Sequence, residues 1–158
     1  MQRGFTLVEL LIVMALAFVL VVAAVPIYGQ LQVRAQLTET SAQVVQTLRA
    51  ARENSLARFH NSTYGVFLNL STTGADSYVL YQGASYAARD VNYDRVVVLE
   101  NSLSFTNLNF ATTTNGNIDI NFSSGLGLPN NTGSLSLNHL VQGTSVISVN
   151  SLGKVEEN

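Results

Sequence analysis

The 158-residue chain contains no cysteine and only two histidines, and that narrows its chemistry before any motif is considered. A disulfide framework and a thiolate metal site are both excluded. His60 and His139 stand far apart in the sequence with no His-x-x-x-His spacing, so neither metal ligation nor nucleophilic catalysis is indicated, and each reads as a polar surface residue. The spacing of Asp90-Val91-Asn92-Tyr93-Asp94 superficially matches a calcium loop but lacks the glycine and closing glutamate of an EF-hand. The expectation is therefore a non-enzyme with no cofactor and no assigned metal. Charge is also scarce, 11% of residues, and positive charge is scarcest in the second part. From His60 onward, Arg89, Arg95 and Lys154 face Asp76, Asp90, Asp94, Glu100, Asp119, Glu156 and Glu157, a net charge of −4. A domain of that sign repels phosphate backbones, so its charge argues against nucleic acid as a partner.

What the chain does have is one long apolar run. Gly4-Phe5-Thr6-Leu7-Val8-Glu9-Leu10 leads without a break into apolar residues as far as Val25. Phe5 to Val25 is 21 residues, and at ~1.5 Å per helical residue it reaches about 31 Å, close to the ~30 Å hydrocarbon core of a bilayer. The expectation is a single transmembrane helix. Its one ionisable residue, Glu9, lies a helical turn inside, where an uncompensated carboxylate costs on the order of 2.5 to 3.5 kcal/mol. A secretory signal cut after Val22-Ala23-Ala24 would have an apolar region of only ~7 to 15 residues and no glutamate. A plain anchor explains the length but neither Gly4-Phe5 nor Glu9. Arg3, the only charge ahead of the run, fits a cytoplasmic N-terminus with the rest of the chain outside.

A short leader with one positive charge, then Gly4, Phe5 and Glu9 at the head of the apolar run, resembles the class III signal of type IV prepilins and type II secretion pseudopilins. The resemblance implies that a membrane prepilin peptidase cuts after Gly4 and methylates the new N-terminal Phe5. It also implies that Glu9 assists assembly by meeting the N-terminal amine of a neighbouring subunit. The implied partners are other pilin or pseudopilin subunits, the peptidase, the membrane and an assembly platform protein. The implied location is the bacterial inner membrane and then a pilus or pseudopilus filament.

Beyond the run, Pro26 is expected to kink the helix, because its ring clashes with the preceding turn and it lacks an N–H. From Gln30 to Phe59 there is no glycine or proline. Leu37, Val44, Val45, Leu48, Ala51 and Phe59 fall on one side at a 3.6 period, a stripe suited to packing on a sheet. Leu48-Arg49-Ala50-Ala51-Arg52-Glu53-Asn54-Ser55-Leu56-Ala57 is similar to a stretch late in the helix of H-type pseudopilins and type IV pilus minor subunits, at Leu48, Ala51, Arg52, Ser55 and Ala57. Arg52 also reads simply as a cover for the rim of the helix–sheet contact, lying on its aliphatic stem.

After Asn61 the period switches to two. Strands are expected over 63–70, 77–81, 95–99, 103–110, 117–122, 134–137 and 145–149, with long loops over 83–94 and 123–133. Asn115-Gly116 is the best hairpin signal, and 143–154 resembles the closing hairpin of the same family. The expected fold is α+β: a long kinked N-terminal helix, half transmembrane and half amphipathic, packed on an antiparallel sheet or small sandwich. The expected division is a leader over 1–4, a transmembrane helix over 5–29, an amphipathic helix over 30–60 and a β-rich domain over 61–158. The function that follows is a structural subunit of a type IV pilus or type II secretion pseudopilus, in the filament or at its tip. The alternative is a pilus-tip module that binds DNA or surfaces.

Overall fold

A computed structural model of the chain describes residues 6–141 and 143–157, with the side chains of residues 23–28 outside that description. One helix, α1, runs from Leu7 to Leu56, 50 residues or about 75 Å. It is followed by a 3-10 turn at Phe59–Asn61 and eight strands: β1 Tyr64–Asn69, β2 Ser77–Gly83, β3 Arg89–Val98, β4 Leu103–Asn107, β5 Ile118–Phe122, β6 Gly133–His139, β7 Thr144–Val149 and β8 Val155–Glu157. The molecule is thus α+β, a long helix ahead of antiparallel sheets.

The helix has two unlike parts because its side chains have two unlike surroundings. Leu37, Ser41, Val44, Val45, Leu48, Ala51 and Ser55 are buried and recur at helical spacing. The serines and the alanine let the backbone approach the sheets closely, while fully burying a leucine or valine contributes roughly 1.5 to 3 kcal/mol. The large apolar side chains from Leu7 to Val22 instead lie exposed on every side of the helix. Among the described residues no helix is long and apolar enough to cross a membrane. The described part of the apolar run, Leu7–Val22, is 16 residues, or about 24 Å. Residues 23–25 of the run have side chains outside the description, as does Pro26, and the helix is continuous through them, while Phe5 lies outside the described residues.

The strands form two four-stranded antiparallel sheets, ordered β3-β2-β1-β5 and β4-β6-β7-β8. The alternation of the sequence decides which face is covered: Val66 and Leu68 on β1, Ile118 and Ile120 on β5, Leu135 and Leu137 on β6, and Ile147 and Val149 on β7 are all buried. These side chains and the helix stripe make one continuous core, so α1 is the common floor of both sheets.

Several expectations change. The helix ends at Leu56 rather than near residue 60, because Arg58 adopts a left-handed backbone (φ 52°) and His60 and Asn61 follow it (φ 49° and 52°). Phe59 therefore leaves the stripe and is 51% exposed. Much of the expected loop over 83–94 is strand, since β3 begins at Arg89 and pairs with β2 through a register shift. Asn115-Gly116 does turn the chain, with Gly116 at φ +78° and its N–H donating to the Thr113 carbonyl. It joins no hairpin, however, because β4 pairs with β6 and β5 with β1, in different sheets. The closing hairpin is β7–β8, registered from Ile147↔Glu157 to Val149↔Val155, and so extends beyond Lys154.

Candidate functional site

The N-terminal end of α1 is built as a closed cap. Thr6 is the N-cap residue; its Oγ1 accepts the Glu9 N–H at 3.2 Å, and the Glu9 carboxylate accepts the Thr6 N–H at 3.3 Å and the Thr6 hydroxyl at 3.2 Å. Two of the helix's unsatisfied N–H groups are thereby satisfied reciprocally, and the carboxylate sits at the positive end of the helix dipole. Glu9 is the one acidic residue of this first turn. It is exposed and ringed by Leu7, Val8, Leu10, Leu11 and Ile12, which are exposed too. Among the described residues nothing covers this sleeve, an exposed apolar surface of the kind that marks an interaction site. Gly4 and Phe5, the residues expected at cleavage and methylation, lie outside the described residues. Thr6 was not singled out in the sequence, although Thr-x-x-Glu ahead of an apolar run is the signature of this cap.

The other end of the helix is tied to the sheets by polar groups. Ser55 Oγ accepts the Tyr64 N–H at 2.8 Å and donates to the Tyr64 carbonyl at 3.3 Å, which pins the start of β1 to the helix. Arg49 donates to the Val155 carbonyl at 3.0 Å, and Arg52 to the carbonyls of Gly127 (3.3 Å) and Leu152 (3.2 Å). Arg52 is therefore more than a cover: it fastens the 123–133 loop and the β7–β8 turn to one helical turn. Gly153 (φ +75°) makes room for it, since a Cβ there would meet Arg52 Nε at 2.7 Å. Further along α1, Glu157 accepts from Ser41 and from Ser145, the latter at 3.0 Å, locking the last strand down. Ser41, buried in the stripe, has only its helical spacing to mark it in the sequence, whereas Ser55 is also one of the positions of the H-type resemblance.

On the face of the first sheet turned away from α1, Tyr86 stacks on Phe67 (3.8 Å between centroids) and lies under the Arg89 guanidinium (3.8 Å). Arg89 pairs with Asp94 at 2.8 Å. Beside them Tyr81 donates to Asp119 at 2.6 Å and accepts from Asn121 at 3.1 Å. Burial pushes the Tyr81 hydroxyl well above its ordinary range, and the Asp119 carboxylate adds to the effect. Phe67, Tyr86, Arg89, Asp94 and Asp119 line a cavity of about 610 Å³. His60 packs at a tilt against Phe59, and His139, at the end of β6, is buried rather than the surface residue expected; among the described residues no group of His, Asp or Glu is placed to hold a metal ion. Asp90 and Asp94 lie on β3, where Asp90 accepts from Asn92 and Asp94 from Arg89.

Residues 1–25 match the family model of the prokaryotic N-terminal methylation motif. The match covers 25 of the 158 residues and includes Gly4, Phe5, Thr6 and Glu9. It supports a type IV pilin-like protein, processed as prepilins are, anchored at a membrane and assembled with other subunits of that kind. No solved structure matches the chain.

Proposed function

We propose that the protein is a structural subunit of a type IV pilus or type II secretion pseudopilus, most similar to the minor subunits of H type. The peptidase cuts between Gly4 and Phe5, Phe5 is methylated, and the subunit waits in the inner membrane with its β domain outside. An assembly platform then moves it into a filament, or to the filament tip. The observation that carries this reading is the methylation-motif match at the head of a 50-residue helix whose first turn holds Glu9 at its surface. Leaving lipid, the apolar sleeve exchanges lipid contacts for contacts with other helices. Glu9 exchanges its own Thr6 for a neighbour's N-terminal ammonium. The H-type comparison rests on the resemblance at Leu48, Ala51, Arg52, Ser55 and Ala57, and no enzymatic role is proposed. The test is co-purification with sheared filaments. Glu9→Ala protein should insert in the membrane at wild-type levels yet be depleted from filaments, because breaking one half of a buried pair costs about 3 to 5 kcal/mol. Equal incorporation at equal membrane levels contradicts the role.

A second reading, a tip module that binds a surface ligand, is favoured by the cavity between Phe67, Arg89 and Asp119. The domain's charge of −4 from residue 60 onward weighs against DNA as that ligand.

A further inference from the structure

The connection between β6 and β7 carries two of the most exposed apolar side chains of the β domain, Leu140 (79%) and Val141 (77%). Leu140 and Val141 are each hydrogen-bonded in place. The Leu140 N–H donates to the Ser102 carbonyl at 2.9 Å, and the Val141 N–H donates to His139 Nδ1 at 3.2 Å. With Nδ1 accepting, the imidazole proton is on Nε2, which faces Gln36 Oε1 on α1 at 3.2 Å; Gln36 in turn donates to Glu100 at 2.9 Å. Gly143, at φ +113°, lies so close to Leu37 that a Cβ would meet its Cδ2 at 3.0 Å. Leu140, Val141 and Gly143 are therefore held at a set height along the helix, where Val141 and Gly143 face Gly29, Gln30, Val33 and Arg34 across a cavity of about 470 Å³.

That height has a meaning if the apolar run lies in a bilayer. Gly29 to Arg34 lie four to nine residues past Val25, about 6 to 14 Å along the helix, so the cavity opens at the ~5 to 7 Å headgroup layer outside the hydrocarbon core, and the long side chain of Arg34, inclined toward the helix N-terminus, reaches back to it. We infer that Leu140–Val141 is a lipid-facing foot, which dips into the outer headgroup layer while Arg34 meets anionic lipid phosphates and so fixes the domain's height and tilt before assembly. The chemistry fits this layer, with two aliphatic side chains for the acyl boundary and, among the residues lining the cavity, a single charge that is positive. A neighbouring copy of the chain is the rival occupant. The inference rests on the membrane storage proposed above.

The chain's lack of cysteine makes single-site labelling direct. Full-length protein is reconstituted in vesicles of phosphatidylethanolamine and phosphatidylglycerol, with an environment-sensitive fluorophore at Val141→Cys, Val13→Cys or Ser124→Cys, and quenched with brominated lipids. Ser124 adjoins Gly125, whose N–H donates to the Ser55 carbonyl, 26 residues beyond Gly29 and thus about 39 Å away along the helix. Quenching is expected at Val141 and Val13 and not at Ser124. Brominated phosphatidylglycerol should quench Val141 more than brominated phosphatidylcholine, and Arg34→Gln should remove a preference of about fivefold, the equivalent of ~1 kcal/mol for one basic residue near the surface. Quenching at Val13 with none above the Ser124 level at Val141 overturns the foot alone, whether or not Val141 then crosslinks to a second copy. No quenching at Val13 overturns the membrane reading and the foot with it.

Discussion

Thr6 and Glu9 hold each other: the threonine oxygen takes the glutamate's N–H at 3.2 Å while the glutamate carboxylate takes the threonine's N–H at 3.3 Å. The carboxylate proposed for assembly is therefore already engaged in the lone chain. Its hydrogen bonds offset part of the cost of holding it in an apolar sleeve, and assembly becomes an exchange of partners rather than the rescue of a bare charge.

That exchange separates two substitutions. Thr6→Ala removes the cap and should loosen the first turn by roughly 0.5 to 2 kcal/mol while leaving the charge, so filament incorporation should persist. Glu9→Gln keeps an oxygen able to accept the Thr6 N–H but removes the charge, so incorporation should fall. Both are read by the fraction of membrane protein recovered with sheared filaments. Failure of Thr6→Ala together with success of Glu9→Gln would make the cap, not the charge, the assembly determinant.

The helix stripe is tested by contrast. Leu48 is fully buried under both sheets, whereas Phe59 is 51% exposed beyond the helix end. In full-length protein in detergent, Leu48→Ala should lower unfolding stability by about 2 to 5 kcal/mol, and Phe59→Ala should stay within roughly 0.5 kcal/mol. Denaturant titration of both variants checks this. Similar losses would mean that residue 59 packs as the sequence period alone suggests.

Tyr81 gives the β domain an alkaline limit. Its hydroxyl is held above its ordinary value of 10.0, so between that value and its folded one the unfolded chain releases a proton that the folded chain keeps. The unfolded state then binds fewer protons, and stability falls as pH rises. The contribution is complete below about pH 10 and is lost progressively above it. Tyr81→Phe should reduce stability at neutral pH, since Asp119 loses a donor, but should flatten the decline above pH 10. Melting temperature followed from pH 7 to pH 11 reads both effects, and an unchanged slope in Tyr81→Phe would assign the alkaline limit to another group.

Much of this arrangement was legible in the residues. Leu37, Val44, Val45, Leu48 and Ala51 announce a buried stripe by period alone, and alternation locates β1, β2 and β4 to β7 to within a few residues, though neither the first half of β3 nor β8. What local pattern does not contain is partner choice. Asn115-Gly116 makes its turn whichever strands flank it, and only the packing of two sheets on one helix sends β4 to β6 and β5 to β1. The helix end was misplaced because no glycine or proline marks it; Arg58 takes the left-handed backbone that a glycine would adopt more easily. Polar residues in structural roles were the least visible. Buried Asp76 joins the two sheets by accepting the Ser71 and Phe105 N–H groups, each at 2.6 Å, yet in sequence it is one more turn aspartate.

The proposed function begins with processing as a prepilin, and the chemical identity of the mature N-terminus reads that step out. Protein purified from membranes of its own host, or co-expressed with a prepilin peptidase, is digested and its N-terminal peptide analysed by mass spectrometry. A peptide beginning at Phe5 with a methylated amine is expected, as is accumulation of the full-length chain when Gly4 is replaced by a bulky residue. A mature chain beginning at Val25, or one that keeps Met1-Gln2-Arg3-Gly4 in the presence of an active peptidase, would contradict prepilin processing.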